Sequence, residues 1–163
     1  MLTMIRSCKP EHIEHELDIF NTNPQFNLIS KDKSTLTAED IAAELKDAEQ
    51  AGAERYLLHD NDQFVGILEL LMHNPKDSCT WIGLLIINGR CHGQGYGSAA
   101  LELFDSVMRE RGVQSHRLGV LVNNPNAHRF WQRHGCVEVR PAELPDGKAI
   151  MIYERAVGSE INN

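Results

Sequence analysis

One segment, from Arg90 to Ser98, constrains the fold more than any other part of the sequence, and it reads RCHGQGYGS. An apolar run from Trp81 to Ile87 precedes it, and apolar residues at helical spacing follow it from Ala99 onward. This order predicts a buried strand, a glycine loop and an amphipathic helix. Exposed N–H groups at the start of such a helix, together with its dipole, favour an anion and above all a phosphate.

Two well-known phosphate-binding motifs do not match this loop. A Walker loop requires a lysine followed by serine or threonine after its last glycine, and no lysine follows here. The dinucleotide fingerprint G-x-G-x-x-G lies in a first βαβ unit. Here the glycines are spaced G-x-G-x-G, Ser98 occupies the last fingerprint position, and the loop lies past the middle of the chain.

The remaining pattern predicts the element order β-α-α-β-β-β-α-β-α-β-β in one α+β domain over residues 1–156, followed by a tail over 157–163. Thr37 is a helix N-cap signal, and Gly52 marks the end of that helix. Asn61-Asp62 indicates a hairpin turn. The polar segment Asn21–Ser34 has no periodicity and is interpreted as a loop or a short irregular helix.

Charge and cysteine content narrow the class of function. The chain carries 23 acidic and 16 basic side chains, a balance that disfavours nucleic acids and anionic membranes as partners. The first 62 residues hold 13 acidic and 6 basic side chains, which leaves room for a cationic acceptor. The four cysteines have no C-x-x-C spacing, so we expect free thiols, no metal site and a cytoplasmic protein.

Two motifs together resemble the GNAT superfamily of N-acetyltransferases. The first is His92-Gly93-Gln94-Gly95-Tyr96-Gly97, which is similar to the family pattern [QR]-x-x-G-x-[GA]. The second runs from Asn124 to Cys136 and resembles the pattern N-x-x-A-x-x-[LF]-Y-x-x-x-G-F. The two motifs cover about residues 80–140, in the element order of the family. His92 replaces the usual Arg or Gln, and Trp131 replaces the usual Tyr.

The resemblance implies a mixed, mostly antiparallel central sheet with helices on both faces and a V-shaped splay between its two central strands. It implies that acetyl-CoA lies in this splay, along the strand Leu85–Ile87, whose backbone pairs with the pantetheine arm like an added strand. The residues expected to contact the cofactor are Leu85, Ile87, His92, Gly93, Gln94, Gly95, Tyr96, Gly97, Ser98, Asn124 and Phe130. Asn124 is also interpreted as the N-cap of the helix that follows it.

Three residues are candidates for the chemistry of acyl transfer: Glu69, Asn124 and Trp131. An ammonium cannot attack a thioester, so the reaction needs a base for the amine. Glu69 is a carboxylate in the otherwise apolar run Phe64–Met72 and suits that role, whereas an outward-facing position would make it structural. His73 and His116 are weaker alternatives. An indole at Trp131 donates a hydrogen bond but is no proton source. It therefore cannot act as the general acid, the role of the Tyr that the family usually has at this position.

The sequence is therefore interpreted as an acyl-CoA-dependent N-acyltransferase that moves an acetyl group to a primary amine by direct attack in a ternary complex. The acceptor is a small-molecule amine or a peptide N-terminus, and a homodimer is left open. The alternative is a non-catalytic acyl-CoA-binding or regulatory module, which Trp131 keeps open. The acceptor site is expected to form from the N-terminal helices, the Asn21–Ser34 segment and the Lys76–Cys79 and Pro141–Gly147 turns.

Overall fold

A computed structural model describes residues 1–159 of the chain. Within this part, seven strands form one mixed sheet, and five helices cover its two faces. The strands are β1 (Leu2–Arg6), β2 (Glu54–Asp60), β3 (Gln63–Leu71), β4 (Trp81–Ile87), β5 (Ser115–Leu121), β6 (Val137–Glu143) and β7 (Ala149–Ala156). The helices are α1 (Pro10–Asn21), α2 (Pro24–Lys31), α3 (Ala38–Gln50), α4 (Tyr96–Glu110) and α5 (Pro125–Arg133). Residues 160–163 of the expected tail lie outside the described part.

The sheet has the order β1-β2-β3-β4-β5-β7-β6, and every neighbouring pair is antiparallel except β4 and β5. One apolar cluster, including Ile41 and Ile67, fills the space between one face and α1 and α3. A second cluster, including Leu68 and Phe104, packs the other face against α4 and α5. The α+β class and the two-sided cover expected from the sequence are confirmed.

The parallel pair β4–β5 is where the sheet opens. Within residues 1–159 the two strands are in register at one position, Trp81 opposite Arg117, and beyond it they diverge. On its other side β4 stays paired with β3 from Trp81 to Ile87. The expected V-shaped splay is thus confirmed, and it leaves the edge of β4 beyond Trp81 free to face a gap.

Helix α2 is the main addition to the expected element order. The segment Asn21–Ser34 contains a regular helix of two turns, which starts at Pro24 and ends at Asp32 in the left-handed conformation, with φ of 64°. Its anchor is polar: Asn27 is fully buried, and its side-chain amide donates to the carbonyls of Phe20 (2.8 Å) and Ser34 (3.0 Å). The one buried residue of α2 is thus polar, and apolar periodicity alone did not predict the helix.

Candidate active site

The glycine loop leaves β4 through a short 3₁₀ turn at Gly89–Cys91 and enters α4 at Tyr96. Gly93 and Gly95 have φ of 77° and 82°, a region that favours glycine. Within the described chain, the backbone N–H groups from Gly93 to Ser98 donate to no protein acceptor. A side-chain Cβ at Gly93 or Gly95 would meet nothing within 4 Å. The loop therefore offers free donors and open space at a helix N-terminus, which suits a phosphate.

A cleft of about 520 Å³ runs from this loop into the gap beside β4, with α5 as its far wall. Most of the expected cofactor contacts line it, as do Asn124 and Trp131. Those residues are Leu85, Ile87, His92, Gly93, Gly95, Tyr96, Gly97, Ser98, Asn124, Phe130 and Trp131. Gln94 and Glu69 are outside the lining; the Gln94 side chain is exposed and its amide lies 3.5 Å from the carbonyl of Arg90.

The backbone of β4 presents alternate residues to the gap. Asn88 N–H donates to the carbonyl of Val65 on the β3 side (2.8 Å), so the polar groups of Leu85 and Ile87 point to the opposite edge. The carbonyl of Ile87, however, already accepts from the Asn23 amide and contacts the His92 ring nitrogen, both at 3.0 Å. Asn23, at the corner between α1 and α2, thus joins the expected His92 at the mouth of the cleft.

Helix α5 is fixed against α4 by close packing at the loop. A Cβ at Gly97 would lie 2.8 Å from the ring of Phe130, so the absence of a side chain lets this ring cover the start of α4. Phe130 in turn packs edge-on against Trp131, with ring centroids 5.0 Å apart. Trp131 is buried in the core cluster below and lines the cleft with the part that remains accessible.

Asn124 adopts the role of a helix cap. Its side-chain oxygen accepts from Ala127 N–H (3.3 Å) directly before Pro125, the first residue of α5. The residue also lines the cleft. The two roles considered for it are therefore compatible in position.

Glu69 lies on the α1 and α3 face of the sheet in an ion-pair cluster centred on Arg55. Its carboxylate accepts from the Arg55 guanidinium (3.0 Å), which also contacts the fully buried Glu16 (2.7 Å) and Glu44 (3.4 Å). Burial lowers the pKa of Arg55, but the carboxylates outweigh it and raise that pKa above its usual value. No sequence pattern indicated that Glu69 would share a cation with two other acids.

The second Glu69 oxygen lies over β4. A Cβ at Gly83 would be 2.8 Å from this oxygen, so the glycine leaves the room that the carboxylate occupies. A bulge at Glu69/Leu70 shifts the register of β3 against β4 at the same level. Gly83 is two residues beyond Trp81, the position in register with β5. Glu69 therefore lies at the start of the gap, on the sheet face opposite α4.

The two alternative histidines lie away from the cleft. His116 is buried, and this burial, reinforced by the Arg155 guanidinium, lowers its pKa to about 4. Its ring packs edge-on against Phe104 in the core beneath α4. His73 follows the end of β3 and is exposed. Neither is brought together with the residues of the cleft.

His134 is the functional candidate that the motifs did not single out. It follows the last residue of α5, directly before Gly135, it is buried, and it lines the cleft. One ring nitrogen lies 2.7 Å from the carbonyl of Phe130, and the other lies 2.9 Å from the hydroxyl of Ser98 in the glycine loop. Its position in the second motif is a variable one, so no spacing signal identified it.

Other classes of site are not found in the described residues. No group of three or more His, Cys, Asp or Glu side chains is arranged to hold a metal ion. No helix there is long and apolar enough to cross a membrane.

Known proteins share both sequence pattern and fold with this chain. The sequence matches the acetyltransferase (GNAT) family over residues 14–136. Among solved structures, an acetyltransferase from Thermus thermophilus is 25% identical, with a TM-score of 0.81 and coverage of 96% of this chain and 97% of that one. No curated protein sequence matched the chain.

Two more distant structures share the fold. One is RimL, a ribosomal L7/L12 α-N-protein acetyltransferase in complex with coenzyme A, at 17% identity and a TM-score of 0.74, covering 98% of this chain and 96% of that one. The other is the ribosomal-protein-S18-alanine N-acetyltransferase from Escherichia coli, at 15% identity and a TM-score of 0.67, covering 100% and 97%.

Proposed function

The chain belongs to the GNAT acetyltransferase family, and we propose that it transfers an acetyl group from acetyl-CoA to a primary amine by direct attack in a ternary complex. The observation that carries this proposal is the continuity of the glycine loop with the gap beside β4. Free N–H donors lie at one end of a single cleft, and strand-edge backbone groups lie along its length. This order of hydrogen-bonding groups along the cleft matches the order of groups in coenzyme A, in which a pyrophosphate is followed by an arm that contains amides.

The residues present fit coenzyme A. The N–H groups from Gly93 to Ser98 would hold the pyrophosphate, and the Leu85–Ile87 edge would pair with the pantetheine amides. Arg90, the nearest candidate to replace the missing Arg at position 92, instead forms an ion pair with Asp18 on α1. His92 lines this end of the cleft, and one of its ring nitrogens lies 3.0 Å from the carbonyl of Ile87.

For the chemical step we propose Glu69 as the general base. It accepts a proton from the ammonium of the acceptor, which frees the nitrogen lone pair. The amine then attacks the thioester carbon, a C–N bond forms, and the C–S bond breaks with its electron pair leaving on sulfur. The excess proton left on the nitrogen passes to solvent, so the products are the neutral amide and the CoA thiolate. A thiol has a reference pKa of about 8.5, so the thiolate is a tolerable leaving group without an acid at position 131. Asn124 and Trp131 border the reacting end.

The acceptor would enter between α2 and the β6–β7 hairpin. Lys148 of the hairpin forms an ion pair with Asp32 at the end of α2 (2.7 Å), which brings two of the expected acceptor segments together. Asp146 contacts the same lysine (3.2 Å). Two carboxylates around one ammonium leave a net negative charge at this opening, which supports a cationic acceptor.

Both acceptor classes, a small-molecule amine and a peptide N-terminus, are kept in the proposal. RimL and the S18-alanine enzyme are both named as acetyltransferases of ribosomal proteins. Their likeness to this chain is one of fold, so they support the inclusion of peptides in a screen.

We propose residues 1–156 as the single catalytic domain, since β7 ends at Ala156, and 157–163 as a tail. The four cysteines are all free, which supports a reducing compartment such as the cytoplasm. The outer strand β6 exposes Val137 and Val139, which supports a homodimer that light scattering can measure.

A thiol-release assay tests the proposed function. Acetyl-CoA is supplied with a panel of polyamines, aminoglycosides, amino acids and peptides with free N-termini, and free CoA thiol is measured with and without each acceptor. Acceptor-dependent release is the expected result. A protein that binds acetyl-CoA but releases no thiol with any acceptor would be the non-catalytic module instead.

Trp131 leads to a prediction about the leaving group. Because the indole is no proton source, we expect Trp131→Phe to lower turnover less than about tenfold, and Trp131→Tyr to leave turnover unchanged or raise it. Steady-state kinetics on folded variants that still bind CoA provide the measurement. A hundredfold loss in Trp131→Phe would instead mean that the indole positions the thioester or the acceptor.

A further inference from the structure

Each ring nitrogen of His134 takes part in one hydrogen bond. Its Nδ1 lies 2.7 Å from the carbonyl oxygen of Phe130, which has no proton to give. Nδ1 must therefore carry the ring proton. In the neutral ring, Nε2 is then an acceptor, and it lies 2.9 Å from the Ser98 hydroxyl. The hydroxyl proton of Ser98 is consequently donated to His134.

This arrangement has a consequence for the glycine loop. Ser98 lies in the first turn of α4, with its backbone N–H among the free donors of the cleft. With its proton donated to His134, the Ser98 oxygen turns its lone pairs toward the cleft. An incoming phosphate oxygen would meet these lone pairs, an unfavourable contact, unless the hydroxyl is released.

We propose that His134 is a positioning residue for coenzyme A: it takes up a proton at Nε2 when the pyrophosphate binds, and the Ser98 hydroxyl thereby turns to donate to a phosphate oxygen. The protonated Nε2–H then donates to the Ser98 oxygen. One proton passes from solvent to the ring, and both hydrogen bonds of His134 are retained. This inference rests on the proposed binding of the pyrophosphate at Gly93–Ser98.

The charged groups around His134 favour the neutral ring in the free protein. Burial, reinforced by the nearby Arg155 and Arg133, lowers the pKa of His134, while its bond to the Phe130 carbonyl opposes this. Arg155 donates to the His134 carbonyl (2.9 Å) and is itself neutralised by Asp105. The ionisable groups on the elements packed here are Glu102, Asp105 and Arg109 on α4, Arg133 on α5, His116 on β5 and Arg155 on β7.

A bound pyrophosphate supplies the missing negative charge, which raises the pKa of His134 in the complex. Between the lower pKa of the free protein and the higher pKa of the complex, binding takes up a proton. Over that window the affinity for CoA falls as pH rises, by up to about tenfold per pH unit. Below and above the window His134 makes no contribution to the pH dependence of the affinity.

Titration calorimetry measures the proton directly. Dephospho-CoA is used because it lacks the 3′-phosphate, whose own ionisation falls near pH ~6. Comparison of two buffers with different ionisation enthalpies gives the number of protons taken up. We expect uptake of up to about one proton in the wild type. His128→Gln, a change to another histidine of α5 that contacts Tyr153, should leave this number unchanged.

Two substitutions of His134 should each make the affinity for CoA independent of this proton, one at a higher affinity and one at a lower affinity. His134→Leu removes the acceptor of the Ser98 proton, so we expect an affinity above that of the wild type at high pH, although the attraction of a charged ring is lost. His134→Gln keeps a non-titrating acceptor, so we expect the low affinity of high pH. The two should differ by about tenfold or more, since a hydrogen bond to a charged group is at stake. Ser98→Ala removes both the unfavourable lone pairs and the hydroxyl donor, so its affinity should lie between those of the two His134 variants.

Histidine-selective NMR of the wild type provides a second measurement that needs no variant. It should show Nδ1 protonated alone in the free protein and both nitrogens protonated in the complex. Normal CoA binding with unchanged proton uptake in the His134 variants, or a ring that stays neutral in the complex, would overturn this inference alone. Absence of any binding would overturn the proposed function instead.

Discussion

Replacement of Gly95 by Asp is expected to abolish the stabilisation of the protein by CoA. In the wild type, CoA at about 100 times its dissociation constant adds about 2.7 kcal/mol to the free energy of unfolding. For a chain of this length that is a rise of roughly 5–10 °C in Tm. Gly95 has φ of 82° and open space around its Cβ position, so a carboxylate there would occupy the space of a phosphate and repel it.

The control for this variant is Gly112→Asp. Gly112 lies just beyond the other end of α4 with φ of 73° and equally open surroundings, so it carries a comparable backbone strain and the same charge. Its own Tm falls, but CoA should still raise it by the wild-type amount. A full CoA shift in Gly95→Asp, or no shift in the wild type at millimolar CoA, would refute the assignment of the loop.

Glu69→Gln is the second variant with a large expected effect. Loss of a general base lowers turnover by roughly 10²–10⁴-fold, because the amine must then lose its proton to water. Binding of CoA should change little, since Glu69 is not part of the cleft lining. Turnover is measured by thiol release at saturating acceptor, and CoA binding by calorimetry.

Two further variants separate catalysis from the ion-pair cluster. Glu44→Gln removes another carboxylate from Arg55 and should keep turnover near the wild type. Gly83→Ala places a Cβ 2.8 Å from the Glu69 oxygen, which is too close for both to keep their positions. The carboxylate, at the end of a flexible side chain, should therefore move, at small cost in stability. We expect Gly83→Ala to lower turnover, as Glu69→Gln does. Wild-type turnover in Glu69→Gln at neutral pH would make Glu69 a structural partner of Arg55.

The elements that sequence patterns predicted well are those with local signals. Thr37 caps α3 through its side chain, which accepts from Asp40 N–H, and Gly52 with φ of 76° follows its end. The glycine loop and the capping Asn124 lie where the motifs placed them. In each case the deciding interaction lies within a few residues of the signal, so the sequence contains it.

The features that were missed depend on contacts between distant segments. Arg55 and Glu16 are 39 residues apart, and their buried pair with Glu69 needs the sheet and α1 in place. The pair of Ser98 and His134 joins residues 36 apart, at the start of one helix and the end of another. Side chains of these types are usually solvated, so a pattern of single residues provides no reason to expect their burial.

The pairing of β4 with β5 at a single position has a consequence for the order of folding. Strands β1 to β4 lie within residues 2–87, and β5 to β7 lie within residues 115–156. Apart from that position, every strand pair lies within one half of the chain, so each half of the sheet can form its own pairings independently of the other. Docking of the two halves, which α4 connects, is the step that gains the least stabilisation from strand pairing. We therefore expect the gap between them to be completed late in folding, and a ligand that fills it favours the docked halves over any state in which they are apart.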